Sequence, residues 1–295
     1  VWSFFRTFDK SMDKYKKHIM GDASEEPMPL YIIPDRKVSL ADVREGMRNH
    51  YEGTELSMTN DPGAGVYKVP YRWRPMTFKS EGREYFNERA IATQQTGFVL
   101  IAQMRSWLPD AVGGILWFGV DDANTAVLTP MYTSITEIPE CYRRGNGSMT
   151  EFSWTSAFWI HNWVANMAYN RYEPMIRDIR PVQKELEDSY VDLVKNTDAK
   201  ALELLKSSPA QATAYLTEVC GKVANEATAR WKKLGEYLLV KYMDGNVKKE
   251  KDGKFEENGY GQIVSPNFPG YSQEYYDQVA KSEEAKHLEV PKKDK

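Results

Sequence analysis

Two short apolar runs dominate the hydrophobic pattern of the chain. Residues 97–102 and 113–120 are almost wholly apolar, and glycine, proline or acidic residues bound each of them. Because both runs are too short for a buried helix, they predict two central strands that are covered on both faces. A third strand is expected over residues 90–95, and residues 125–132 are expected to form another.

A hairpin is expected just before these strands. Residues 71–78 alternate in a way that is typical of a strand, and the polar residues 79–84 have the composition of a turn. The strand over residues 71–78 should therefore pair antiparallel with a strand that opens at Tyr85.

Helical spacing appears early in the chain and then throughout its second half. Ser39 followed by Asp42 predicts a capping box and a helix that runs to about Tyr51. From Ser153 onward, apolar residues recur at spacings of three and four, which indicates a helix with a wide apolar stripe. Further helical runs are expected over residues 182–194, 201–205 and 211–242.

These elements predict an α+β protein, since strands joined by short turns fit an antiparallel or mixed sheet better than a βαβ succession. Residues 1–152 are expected to form the sheet-rich part of the core, and residues 153–243 a helical layer packed on it. Residues 244–295 are expected to form a hairpin or loop and a charged, partly disordered tail.

Composition narrows the classes of function. A chain of 295 residues with 41% hydrophobic content can bury a sizeable core. The net charge is −3, with 39 basic and 42 acidic residues well mixed, so no nucleic-acid partner is expected. No apolar run approaches the roughly 20 residues of a membrane helix, so no membrane partner is expected. The compartment stays open between cytoplasmic and secreted or periplasmic.

The cysteines and histidines do not suggest a metal site. Cys141 and Cys220 are far apart in sequence and occur in no metal-ligand spacing, which leaves a single disulfide open. His50 and Glu52 form the HxE motif of zinc deaminases, but the PCxxC motif that those enzymes also need is absent. We therefore expect no metal and no other cofactor.

Neither thiol has the surroundings of a nucleophile. Arg143 and Arg144 would lower the pKa of Cys141, but no histidine base is close to it in sequence. Cys220 falls within a predicted helix, on its buried side.

Several segments resemble one known family. In order, between Leu30 and Tyr172, they read YIIPDRKVSLADV, NHYEGTELSMTNDPGAG, PYRWRPMTF, NERAIATQQTGF, LPDAVGGILWFGVDD and SWTSAFWIHNWVANMAYNRY. Together they resemble the C-terminal half of the family C69 dipeptidases, which are cysteine-type N-terminal-nucleophile hydrolases. The resemblance implies that the chain is the C-terminal part of an αββα sandwich.

The family chemistry concerns the start of the mature chain. In N-terminal-nucleophile hydrolases the first residue attacks the substrate, and its own α-amino group, with a pKa near 8, serves as the base. Val1 cannot do this, so the resemblance implies that the nucleophilic cysteine is not in this chain. We expect the chain to be a fragment of a longer protein, inactive alone, with the missing N-terminal half as its partner.

Arg89 is the first site residue that the resemblance implies. It resembles the arginine that opens the equivalent core strand in family C69, and in related hydrolases such an arginine orients the nucleophile and the substrate carboxylate. A plain salt bridge with Glu88 or Asp110 is the alternative.

Four further residues are candidates. Asn60, in the TNDPGAG loop, could donate to an oxyanion as an asparagine does in the wider superfamily, or could simply form a turn. Strand alternation would place Arg72 and Arg74 on one face, where they bind a peptide carboxylate or line a solvated edge. Arg105, at the end of a strand, is a further candidate for substrate binding.

The resemblance implies that the complete enzyme hydrolyses dipeptides through a cysteine thioester. Two alternatives stay open: a non-catalytic binding or scaffold subunit of the same fold, and an amidase that acts on non-peptide amides. A half-sandwich would leave an apolar sheet face uncovered, so a homo-oligomer is also open.

Overall fold

The computed structural model describes residues 1–22, 24 and 26–290. The α-helices are α1 Trp2–Phe8, α2 Lys16–Ile19, α3 Leu40–Met47, α4 Asp110–Gly113, α5 Ala157–Asn170, α6 Tyr172–Ser207, α7 Pro209–Tyr242 and α8 Gln273–Lys281. The strands are β1 Thr77–Ser80, β2 Arg83–Phe86, β3 Phe98–Met104, β4 Gly114–Val120, β5 Thr129–Tyr132, β6 Glu250–Lys251 and β7 Lys254–Phe255. The protein is therefore mixed in α and β structure, with small sheets and a helical second half.

The main sheet is antiparallel and has the strand order β3-β4-β5. The two apolar runs form β3 and β4, and Leu100 lies opposite Phe118 in their register. The hairpin of β1 and β2 is also antiparallel and turns at Glu81 and Gly82. Both apolar runs are thus confirmed as strands, although only β4 is central, and an antiparallel hairpin is confirmed with strands shorter than, and shifted from, those predicted.

Three predicted strands differ from the structure. Residues 90–95 form no strand, because the segment bends: the Ala92 amide donates to the Asn49 carbonyl over 3.2 Å, and a turn follows. Strand structure over residues 71–78 begins only at Thr77, so Arg72 and Arg74 do not share a strand face. The strand predicted over residues 125–132 is limited to β5.

The prediction that both central strands are covered on both faces is wrong for β3. On its outer face, three apolar side chains are 43 to 70% exposed: Phe98, Leu100 and Met104. The reason is that β3 lies at the edge of the sheet. Tyr142 covers the neighbouring strands on this face, since its ring packs 5.1 Å from that of Phe118 in β4 and its hydroxyl lies 3.0 Å from that of Thr129 in β5. Among the described residues, no strand pairs with the free edge of β3.

The inner face of the sheet is closed by helices. Trp117 is 2% exposed, and its indole nitrogen donates to Gln103 over 3.0 Å. With Leu40 of α3 and Val191 of α6 it lines a pocket on this face. Trp117 and Phe118 therefore point to opposite sides of β4, as strand alternation requires.

The helical second half has fewer and longer helices than expected. The runs predicted over residues 182–194 and 201–205 belong to the single helix α6. Polar residues separate the two predicted runs in the sequence, but the buried face of the helix continues between them through Thr197 and Ala201. Ser208 then ends α6 and caps α7, whose first residue is Pro209, a favoured residue at a helix start.

The two ends of the chain add smaller elements. The capping box of Ser39 and Asp42 is confirmed, although α3 ends at Met47 and not near Tyr51. The hairpin expected after residue 243 is formed by β6 and β7, and α8 was not predicted. Part of the charged tail, residues 291–295, lies outside the described residues.

No described helix has both the length and the apolar composition that crossing a membrane requires.

Truncation of Trp117 tests the packing of the inner face. We expect Trp117→Ala to lower the free energy of unfolding by about 3–5 kcal/mol, because a large buried side chain leaves a cavity. Trp107, which is 76% exposed, gives the control: Trp107→Ala should change stability by less than about 0.5 kcal/mol. Equal losses in the two variants, measured by urea unfolding, would contradict this packing.

Candidate functional site

The segment that follows β4, residues 121–128, is irregular and yet completely buried. Its main-chain polar groups must therefore find partners inside the protein. Gln183 of α6 supplies two of them, since its amide nitrogen donates to the carbonyls of Asn124 over 3.1 Å and Ala126 over 2.6 Å. Side chains of α6 thus replace the hydrogen bonds that a regular strand would provide.

Glu187, one turn further along α6, holds the end of this segment. Its carboxylate is 2% exposed and accepts a hydrogen bond from the Leu128 amide over 3.0 Å and from Arg48 over 2.5 Å. Arg44 lies 3.4 Å from the second carboxylate oxygen. One buried carboxylate therefore joins α3, α6 and the segment after β4.

A buried histidine is tied to the same segment. His50 Nδ1 lies 3.1 Å from the side-chain nitrogen of Asn124, which also donates to the Arg48 carbonyl over 2.9 Å. Because that nitrogen can only donate, Nδ1 accepts in this contact. Nε2 lies 3.0 Å from the Tyr169 hydroxyl, which donates to Asp122 over 3.1 Å. His50 is thus engaged on both sides.

A second polar cluster, which we call the amide chain, runs from Gln94 through Asn166 and Asn162 to Asp121. Gln94 donates to Asn166 over 2.7 Å, Asn166 to Asn162 over 3.1 Å, and Asn162 to Asp121 over 2.8 Å. The direction follows from its end, because an ionised carboxylate can only accept. The three hydrogen bonds between side chains of the amide chain therefore all run towards Asp121.

The two ends of the amide chain each keep one free acceptor. Among the described residues, neither Oδ2 of Asp121 nor Oε1 of Gln94 has a hydrogen-bond partner, although the side chains are only 1% and 7% exposed. Buried acceptors of this kind cost free energy until a donor reaches them.

Asp121 is also perturbed in its charge and in its backbone. Burial raises the pKa of its carboxyl from 3.8 to about 7, against the opposing effect of the Asn162 hydrogen bond. Its φ of +69° lies in the left-handed region, which residues other than glycine seldom adopt. Such backbone strain is concentrated at functional sites, so the amide chain is the strongest candidate site in the described chain.

Two of the predicted site arginines, Arg74 and Arg89, lie close enough to Tyr71 to influence its hydroxyl. Arg74 and Arg89 are both exposed, and their charges oppose the burial that raises the pKa of Tyr71. The Tyr71 ring is 5.8 Å from that of Tyr169, and its hydroxyl has no partner among the described residues.

The alternative for Arg89, a structural salt bridge, is not formed. Within the described part of the chain its guanidinium has no ion pair with Glu88 or Asp110. Its carbonyl accepts a hydrogen bond from the Tyr51 hydroxyl over 2.7 Å, which fixes the backbone at this position. The charge of Arg89 is therefore open to a ligand.

Arg72 and Arg105 differ, because internal partners occupy their guanidinium groups. Arg72 pairs with Asp61 and donates to the Met58 carbonyl over 2.6 Å. Arg105 is buried, pairs with Asp198 of α6 and donates to two main-chain carbonyls. These contacts hold a loop and the end of β3 in place, and substrate binding by either residue stays a prediction.

Asn60 contacts a different part of the protein from the amide chain. Its side chain is exposed and accepts a hydrogen bond from Thr59 over 3.4 Å. With Ser272 and Tyr275, at the start of α8, it lines a surface pocket. Its role as an oxyanion donor stays a prediction.

Both cysteines are buried and carry free thiols, so the disulfide left open by the sequence is not formed. Burial raises the pKa of the Cys141 thiol, which corrects the expectation that Arg143 and Arg144 lower it. Burial likewise raises the pKa of Cys220 to about 11. Neither group has the thiolate character that a nucleophile needs.

The amide chain was missed in the sequence. Its signals were an Asp-Asp pair directly after a buried strand, and Asn162 with Asn166 one helical turn apart on an otherwise apolar helix. Gln94 gave no signal, since it joins the site only through the bend of residues 90–95.

Asp121→Asn tests the cost of burying this carboxyl. Between about pH 4 and pH 7 the folded state holds a proton that the unfolded state has lost, so the stability of the natural protein falls as pH rises. The variant lacks this cost and should be more stable, by up to about 4 kcal/mol at pH 8 and by much less at pH 4.

The exposed Asp192, whose ion pair in the described structure is with the exposed Lys195, gives the matched control. Asp192→Asn should change stability by less than about 0.5 kcal/mol at either pH. A gain from Asp121→Asn that is the same at pH 4 and pH 8, in urea unfolding, would contradict the raised pKa.

The residues of the amide chain lie in a part of the sequence that matches a known family. The sequence profile of Peptidase family C69 matches residues 1–185, which include the whole amide chain. "Probable dipeptidase B" of Lactococcus lactis is 26% identical over 233 residues, which are 77% of this chain and 44% of that protein. "Probable dipeptidase" of Latilactobacillus sakei is 26% identical over 245 residues, 77% of this chain and 46% of that protein.

A third relative, "Dipeptidase A" of Lactobacillus helveticus, is 22% identical over 172 residues, 58% of this chain and 30% of that protein. The chain spans less than half the length of each of these three curated relatives.

Proposed function

Since the chain belongs to peptidase family C69, we propose that it takes part in the hydrolysis of dipeptides. The observation that carries this proposal is the match over residues 1–185, together with relatives that are named dipeptidases. The matched residues contain the amide chain and the exposed Arg89. A dipeptide carries a charge at each end. The polar side chains of the amide chain and the charged side chain of Arg89 can bind such ends.

We propose further that the attacking thiol is an N-terminal cysteine outside this chain, and that the reaction passes through a thioester. Support comes from the two cysteines that the chain does contain, since both are buried and the pKa of each is raised. An N-terminal cysteine carries its own base, the α-amino group. In this scheme Arg89 orients the substrate carboxylate, and Asn60 donates to the oxyanion.

The outer face of the β3-β4-β5 sheet is proposed to pack on a second sheet of an αββα sandwich, contributed by the remaining part of the enzyme. The exposed apolar residues of β3 support this arrangement, as does its outer edge, with which no described strand pairs. The greater length of the relatives is consistent with it.

The first test of this proposal is the activity of the chain itself. The purified chain should not hydrolyse Ala-Ala, and Cys141→Ser and Cys220→Ser should leave that result unchanged, because neither thiol is exposed or acidic. The measurement is amino-acid release over hours at high enzyme concentration. Turnover that disappears in Cys141→Ser alone would overturn the assignment of the nucleophile.

A second test addresses the outer sheet face. Without a covering layer, the chain should self-associate in light scattering, because an apolar face beside a free strand edge favours pairing. Leu100→Lys should reduce this association, whereas Tyr260→Lys, at an 89% exposed residue in the C-terminal segment, should not. A chain that stays monomeric up to high concentration would contradict an uncovered sheet face.

A further inference from the structure

We propose that a cavity at the start of α5 binds a small apolar ligand that carries one carboxylate. This cavity, which we call the α5 cavity, has a volume of about 320 Å³ and lies between Phe118 of β4, residues 141–149 and the first turn of α5. The inference goes beyond the proposed function and does not depend on it, because none of the lining residues belongs to the amide chain or is one of the predicted site arginines.

The first turn of α5 leaves its main-chain donors open. The helix has 14 residues, and among the described residues the amides of Ala157, Phe158 and Trp159 have no hydrogen-bond partner. A helix of this length carries a partial positive charge at its first turn, and here that turn holds no acidic residue. The open amides and the partial charge together favour an anion.

Ser156 gives an independent observation in favour of a ligand. A serine at the start of a helix usually accepts a hydrogen bond from an amide of the first turn, but the Ser156 side chain makes no such bond. Ser156 is only 6% exposed and lines the α5 cavity, and its hydroxyl has no partner in the described part of the chain. This hydroxyl is therefore free to donate to an anion at the start of the helix.

One cation at the cavity is also open. Arg143 and Arg144 both line the cavity, and within the described structure no acidic residue does. The guanidinium of Arg143 pairs with Glu137 over 3.3 Å and with Glu140 over 3.2 Å. Arg144 is exposed and has no ion pair with any described residue. A single open guanidinium balances one negative charge, so the ligand is a monoanion.

The walls of the cavity define the rest of the ligand. Four aromatic residues form part of these walls: Phe118, Tyr142, Phe158 and Trp159. A bare inorganic anion such as phosphate would lose hydration against these rings, whereas an apolar group is favoured there. The volume lies near the lower end of the range for ligand pockets, about 300–1,000 Å³, so the ligand is small. A monocarboxylate with an aromatic or branched apolar body meets these conditions.

The shape of the cavity is fixed before a ligand arrives. The Trp159 indole nitrogen donates to the Ser148 carbonyl over 3.0 Å. Asn146 accepts a hydrogen bond from Ser153 over 2.6 Å. Gly147 has a φ of +80°, and a Cβ added there would lie 2.9 Å from the Trp159 ring, so only glycine allows this close approach. A preformed site loses less conformational entropy when it binds.

The experiment is an NMR titration of the 295-residue chain at neutral pH, at a protein concentration too low for self-association. The ligands are hydrocinnamate, a phenyl ring joined to a carboxylate by a short apolar chain, its neutral analogue hydrocinnamamide, acetate and inorganic phosphate. We expect hydrocinnamate to bind at least about tenfold more tightly than the others, because it alone has both the single charge and the apolar body. The amide signals of Phe158 and Trp159 should shift in this titration.

Two neighbouring variants give a matched comparison. Arg144→Gln should weaken the binding of hydrocinnamate at least about fivefold, because it removes the open cation. Arg143→Gln removes the same charge from an arginine that is already paired, and should change the affinity less than about twofold. Circular dichroism spectra establish that both variants are folded.

Ser156→Ala tests the hydroxyl. It should weaken the binding of hydrocinnamate at least about threefold, because a hydrogen bond to the carboxylate is lost. The melting temperature of the unliganded chain should stay unchanged, since this hydroxyl has no partner among the described residues.

Several results would overturn the inference: no binding of hydrocinnamate, equal affinity for hydrocinnamamide, or tighter binding of acetate or phosphate. Equal losses in Arg144→Gln and Arg143→Gln, unchanged affinity in Ser156→Ala, or unmoved Phe158 and Trp159 signals would do the same. Cleavage of dipeptides by the complete protein bears on the proposed function alone, so the two proposals fail separately.

Discussion

The buried carboxylate of Glu187 is the interaction on which the rest of the structure depends. It binds Arg48, the residue that follows α3, and the Leu128 amide, while Gln183, one turn earlier on α6, binds two carbonyls of the segment after β4. Residues four apart on a helix share a face, so a single stripe of α6 holds this irregular segment. Removal of Glu187 would leave the buried Arg44 with no ion pair among the described residues, a change that usually costs about 3–5 kcal/mol.

The same segment carries two adjacent carboxyl groups in opposite situations. Asp122 is fully engaged, since it accepts from the amide and hydroxyl of Thr125, both over 3.0 Å, and from Tyr169. Within the described chain, the side chain of Asp121 is bonded to Asn162 through one oxygen, and its other oxygen has no partner. Neighbouring carboxyls whose surroundings separate their roles are a recurrent feature of enzyme sites. Here one carboxyl supports the fold, and the other is left available.

Sequence reasoning found what depends on local pattern. The apolar runs gave β3 and β4, and the capping box gave the start of α3, because neighbouring residues decide both features. The bend at Gln94 depends on a hydrogen bond to the distant Asn49 carbonyl, so periodicity could not reveal it. Likewise Arg105 has the charge of a ligand-binding residue, and only tertiary structure assigns its charge to Asp198.

The distance along the chain between the partners of Glu187 has a consequence for folding kinetics. Arg48 is separated from it by 139 residues and Leu128 by 59. Contacts between such remote residues form only after large loops have closed, and the entropy of closure slows them. The helices α6 and α7 can pair early, because they are adjacent in sequence. We therefore expect the segment with Asp121 and Asp122 to reach its final conformation late, on a helical framework that is already in place.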